Sequence, residues 1–203
     1  NTFEGLLTEL YAKAKNNGIF FDKAIPNPAN PEITKISSIT QIPNQLDRDA
    51  IKNIISSLQS ANVLDLSKIG TNKTADETAA IIDSVLQAVR LSTPSPNASK
   101  NVFVKFICWI IRYSTYNVTN VLYVGSITKH EVLWLYLISL MGCSVSYVNY
   151  TNETGYLEGD PSGKYSELIR GSVLAPLDIN LSRINIDQYN RQLQSKEQLN
   201  EIV

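Results

Sequence analysis

The sequence predicts an α/β protein: a Rossmann-like β-α-β core with parallel strands, preceded by an N-terminal helical region. Three observations carry that prediction. Asn120–Val124 is an apolar run of strand length that stops at Gly125. Lys129 to Met141 is apolar and long enough for a helix. Ser144 to Asn149 is a second strand-length run, so strand, helix and strand follow within thirty residues and call for a parallel pair with a crossover.

The elements before this unit read as helices and a connector. Thr2 to Asn16 places Phe3, Leu6, Leu7, Leu10, Tyr11 and Ala14 at helical spacing, and Asn16-Asn17-Gly18 ends it. Residues Ile19 to Gln45 carry Pro26, Pro28, Pro31 and Pro43, which predicts a laid-down connector pinned by Ile19, Phe20, Phe21, Ile25, Ile33, Ile36 and Ile39. A helix follows over Asp47 to Ser60, with Asp47 and Asp49 near the positive end of its dipole. Another starts at Thr74, where Glu77 completes a T-x-x-E capping box, and runs to about Arg90 with Ile81, Ile82, Val85, Leu86 and Val89 inward. Pro94 and Pro96 make Ser92 to Lys100 the clearest breaker. It divides the expected organisation into a helical region with the Pro-rich connector, 1–96, and a Rossmann-like α/β region, 97–203, alternatively one compact domain throughout.

Beyond the breaker, Val102 to Tyr113 reads as an apolar helix with Trp109 in the core, and Trp134 and Tyr136 read likewise in the helix after Gly125. Glu153 to Lys164 is polar and holds three glycines, so it reads as an exposed loop. Its acids Glu153, Glu158 and Asp160 could supply a base or hold a divalent ion, although solvated surface is the simpler role. A last helix is expected over Ile186 to Ile202.

Composition narrows the function. Eighteen basic residues nearly cancel nineteen acidic ones, and no dense basic run appears, so no nucleic-acid partner is expected. The longest apolar stretches, Val102 to Ile111 and Val132 to Met141, are half the roughly 20 residues of a membrane helix, so no membrane span is expected. Cys108 and Cys143 sit in apolar segments without a disulfide or C-x-x-C pattern, which fits a cytoplasmic location. Six N-x-S/T sequons, the first at Asn72, carry no weight in a chain this rich in Asn and Ser. The chain begins at Asn1 rather than Met, which leaves open a trimmed chain, a part of a longer protein or a removed signal.

The ligand position of an open α/β sheet lies beyond the carboxyl ends of its strands. Here that is Gly125-Ser126-Ile127-Thr128-Lys129-His130-Glu131. Gly125 permits close backbone approach, Ser126 and Thr128 offer hydroxyls, and Lys129 and His130 add donors beside the free N–H groups of a first helical turn. A phosphate or carboxylate suits that chemistry. Helix initiation accounts for part of the same motif: Thr128 and Glu131 form a capping box, and Ile127 with Val132 has staple spacing. His130 is the only histidine; it is the one imidazole for proton transfer at neutral pH, and no histidine metal cluster can form around it. No metal or cofactor is identified, and no catalytic residue.

Known motifs are near misses. The turn lacks G-x-G-x-x-G, and the strand after it ends in Asn149 rather than an acid. Gly159-Asp160-Pro161-Ser162-Gly163-Lys164-Tyr165 resembles a phosphate loop but is one residue short and has Tyr165 where a magnesium-binding hydroxyl belongs. No G-x-S-x-G is present.

The wording of Val121-Leu122-Tyr123-Val124-Gly125, Lys129-His130-Glu131, Met141-Gly142-Cys143 and Val145-Ser146-Tyr147-Val148-Asn149, with Phe21-Asp22-Lys23-Ala24-Ile25-Pro26-Asn27-Pro28 upstream, resembles the bacterial YceG-like family. The resemblance implies a component of a biosynthetic module encoded in tellurium-resistance and general-stress gene clusters and proposed to make a nucleoside-like or sugar-like metabolite. It assigns no chemistry and no catalytic residue. Whether the protein is an enzyme stays open. The reading it favours is binding of a phosphorylated or nucleotide-like small molecule at the Gly125 turn. The alternatives are a glycosyltransferase-like enzyme half, which needs a second parallel sheet facing the turn, and a non-catalytic interaction module docking the rest of a longer chain or other cluster-encoded proteins.

Overall fold

The computed structural model describes residues 3–149, 155–166, 181, 184–191 and 194. The protein is mixed α/β. Its sheet has three strands, β1 (Gly18–Asp22), β2 (Asn120–Val124) and β3 (Ser144–Val148), all parallel and in the order β1-β2-β3. The register pairs Tyr123 with both Phe21 and Tyr147.

Period-two alternation divides the sheet's side chains between two faces. Phe21, Val121 and Tyr123, with Ile19, Val145 and Tyr147 beside them, belong to the main core. Leu122 and Val124, with Phe20 and Val148, meet Leu7 and Ala14 of α1 (Phe3–Asn17) in a smaller cluster. The helices of both crossovers lie on the main-core face, as connections of one hand stepping in one direction across a sheet require. The β-α-β unit is therefore present. The strand order does not reverse, so the crevice of a doubly wound sheet is not formed among the described residues.

The Pro-rich segment departs from expectation. In place of a connector it forms β1 and α2 (Asn30–Ile39). Pro31 causes no break, because a proline in the first turn gives up an N–H that has no intrahelical partner. Gly-Ile-Phe-Phe-Asp is a short apolar run whose strand character appears only when β2 supplies its ladder.

The remaining helices follow their capping signals. Asp47 caps α3 (Arg48–Ser60) by accepting from the Ala50 N–H at 2.8 Å. Thr74 and Glu77 close the capping box of α4 (Ala75–Ser92). After a break of three residues, α5 begins at Pro96 and runs to Tyr113, earlier than the apolar pattern indicates. Helices from both sides of that break share the main core, and β1 from before it pairs with β2 from after it. α6 spans Lys129–Leu140. The core is aromatic at its centre: Trp109 and Trp134 are fully buried 5.6 Å apart edge-to-face, and Phe21 meets Trp134 at 5.9 Å.

The stretch expected as an exposed acidic loop is also different. It holds α7 (Gly155–Gly159) and a buried Asp160, which accepts from the Lys164 N–H at 2.7 Å, the Tyr165 N–H at 3.0 Å and the Tyr156 hydroxyl at 2.9 Å. Gly155 serves close approach: a Cβ there would stand 2.1 Å from the Ile127 carbonyl oxygen. Glu153 lies outside the described residues. Of the expected last helix, 186–191 is helical, and most of the rest lies outside them.

Candidate functional site

β2 delivers the chain to the turn through Gly125, whose φ of +115° is costly for any residue with a Cβ. Its N–H donates to the Val148 carbonyl at 3.0 Å, which carries the parallel ladder one residue past β3's last described pair. A Cβ at Gly125 would lie 3.1 Å from the Lys23 backbone. The Tyr123 hydroxyl donates its one proton between the carbonyls of Ser126, at 2.6 Å, and Lys23, at 3.0 Å, tying the ends of β1 and β2 together.

The six residues the sequence singles out separate into two groups. Thr128 and Glu131 are engaged in folding. The Glu131 carboxylate is buried, and it accepts from the Thr128 N–H at 2.8 Å, the Thr128 hydroxyl at 2.7 Å and, on its other oxygen, the Ile25 N–H at 2.7 Å. It caps α6 and anchors the chain leaving β1. Lys129 extends toward the end of α4, donating to the Ser92 hydroxyl at 2.7 Å. Among the described residues, the Ser126 hydroxyl and the His130 ring make no hydrogen bond, and the N–H groups of Lys129 and His130 have no acceptor. This is the ordinary deficit of a first helical turn.

His130 is half-buried. Burial, and then the cations Lys105 and Lys129, hold its pKa below the usual imidazole value, with Glu131 opposing them. Lys105 was missed at the level of sequence. It lies over the Trp109 ring at 4.8 Å, and burial lowers its pKa while Glu131 raises it. One lysine inside the run Val102-Phe103-Val104-Lys105-Phe106-Ile107 is the signal that could have found it. The turn thus carries Lys105, Lys129 and a titratable His130 around one carboxylate that is already engaged by neutral donors.

Burial pushes the thiols of Cys108 and Cys143 up to about 11, so neither is a ready nucleophile. Among the described residues no three His, Cys, Asp or Glu side chains gather as a metal site, no helix is long and apolar enough to cross a membrane, and one parallel sheet is present.

Fold and turn together define an α/β protein whose central parallel strand opens onto a helix N-terminus flanked by cations. The family model of the YceG domain matches residues 7–180, and the chain belongs to the YceG family. No curated protein and no solved structure matches.

Proposed function

We propose that the protein binds a phosphorylated or nucleotide-like small molecule at Gly125–Glu131, as a component of a bacterial stress- or tellurite-resistance-associated metabolite biosynthesis module in the cytoplasm. The observation that carries the binding site is the pair of unaccepted N–H groups at Lys129 and His130, flanked by the charges of Lys105 and Lys129. Charge-assisted donors facing a helix N-terminus favour a phosphate or carboxylate over a neutral ligand. Gly125, Ser126 and Thr128 form the approach, and His130 donates once protonated. Glu131 supports the turn from behind. The sheet acts as a Rossmann-like core, presenting the turn at a strand's carboxyl end. The module assignment rests on membership of the YceG family and on the resemblance described above.

Isothermal titration against a panel of nucleotides and sugar nucleotides tests the site. At least one ligand is expected to bind, with His130→Ala and Lys129→Ala each weakening it by about tenfold, or about 1.4 kcal/mol. Absence of binding across the panel, or the wild-type affinity in both variants, removes the proposal.

A further inference from the structure

α2 and α5 run side by side, joined at one end by Arg112, whose guanidinium donates to Glu32 at 2.6 and 2.8 Å. Residues of both helices and of the segments flanking α2 line a cleft of about 590 Å³. That lies within the range of about 300–1,000 Å³ usual for small-molecule sites. Pro28, Ile33, Ile42 and Val104 give it an apolar wall; Lys100 and Lys105 line it as well, and no acidic residue does.

Lys105 is the informative member. Its ammonium is half-buried and lies over the Trp109 face, and among the described residues it has no ion-pair partner. The Trp109 indole is itself fixed, donating to the Pro26 carbonyl at 2.9 Å. The carboxylate that acts on Lys105 electrostatically, Glu131, has both oxygens committed to Ile25 and Thr128. Lys100 has a long contact to Asn44, 3.4 Å. A partly desolvated cation with no direct ion-pair contact among the described residues, at the border of an apolar wall, fits a negative group supplied from outside.

We propose that the α2–α5 cleft is a binding site for an amphipathic anion, with a carboxylate or phosphate head on Lys105 and Lys100 and an apolar body against Ile33, Ile42 and Val104. None of residues 125–131 lines the cleft, which adjoins the turn through the shared Lys105. The cations and the apolar residues line one cleft, so a ligand with one charged end and a hydrocarbon or aryl body satisfies both, whereas an inorganic ion leaves Ile33, Ile42 and Val104 wet.

The probe is 8-anilinonaphthalene-1-sulfonate, added to the full chain and followed by energy transfer from tryptophan, since Trp109 lies directly beneath Lys105. Saturable binding of one probe per chain is expected. Lys105→Gln weakens it by about tenfold, Lys105→Arg restores it to within about threefold, and Ser37→Trp, which fills the cleft from α2, abolishes it. Octanoate and octyl phosphate displace the probe, and their relative potency identifies the head group; 1-octanol does not displace it. Urea unfolding of each variant checks that it is folded. Absence of saturable binding, binding indifferent to Lys105→Gln in folded protein, or displacement by 1-octanol equal to that by octanoate overturns the proposal.

Discussion

Two strand-to-helix turns leave the same end of the sheet, and they use the same acid differently. After β1 the chain enters α2 at Ala29, where the Glu32 carboxylate accepts from the Ala29 N–H at 2.6 Å and pairs with Arg112. After β2 it enters α6 at Thr128, where Glu131 accepts from the Thr128 N–H and turns its other oxygen to the Ile25 N–H. Both acids stand at the third helical position. Glu32 is part-exposed and neutralised by a guanidinium that also donates to the Pro26 carbonyl at 2.8 Å. Glu131 is buried and held by neutral donors, with its nearby cations free of ion pairs to it. The first turn is electrically complete. The second retains positive charge, and that excess is what makes it the better candidate for a ligand.

Removing the acid of the second turn and the acid's partner in the first would test this contrast. The largest effect is expected from Glu131→Ala, which strands the buried Ile25 N–H together with the Thr128 donors. A loss of about 3 kcal/mol is expected in urea unfolding, with Glu131→Gln recovering part of it. A loss below about 1 kcal/mol would show that the Glu131 contacts are incidental. Arg112→Ala is expected to cost less, about 1–2 kcal/mol, because its pair with Glu32 is only part-buried and its contacts to the Pro26 and Asn27 carbonyls are exposed. Hydrogen exchange should rise over residues 26–39 and stay unchanged in α6; a rise in α6 would mean the two turns are not independent.

The smallest effect concerns pH. The folded-state pKa of His130 is depressed by burial, so between about pH 6.5 and that lower value the unfolded chain takes up a proton that the folded chain does not. The contribution is present above the unfolded pKa and is lost as pH falls through this window. Stability of the wild type should therefore decline on acidification below about pH 6.5 more steeply than that of His130→Gln. Equal slopes would place His130 in solvent, outside the influence of Lys105 and Lys129. Glu32 has the same sign at lower pH, since Arg112 holds its carboxyl below the usual range.

Much of the fold was legible because its signals are local. Asp47, the Thr74–Glu77 box, the Thr128–Glu131 box and the turn at Gly125 fix helix starts within four residues of chain, and β2 and α6 fall where the pattern puts them. The candidate site was half legible for the same reason: adjacent residues can be read as a turn, but their partners cannot. Ile25, Lys105 and Ser92 reach that turn from 106, 26 and 37 residues away along the chain. β1 was lost because a parallel edge strand is defined by a ladder to a partner about a hundred residues distant, and prolines nearby outweighed five apolar-rich positions. Asp160 was lost because an acid in a glycine-rich stretch looks solvated until Tyr156 and two backbone N–H groups close on it.

By itself, the sequence determined the α/β class, the β-α-β unit and the acids at the starts of α3, α4 and α6, all set by contacts along one stretch of chain. Only the tertiary structure decided which charges are free. Whether a carboxylate is satisfied by guanidinium or by backbone, and whether a lysine in an apolar helix meets an acid or an aromatic face, depends on what distant segments bring to it.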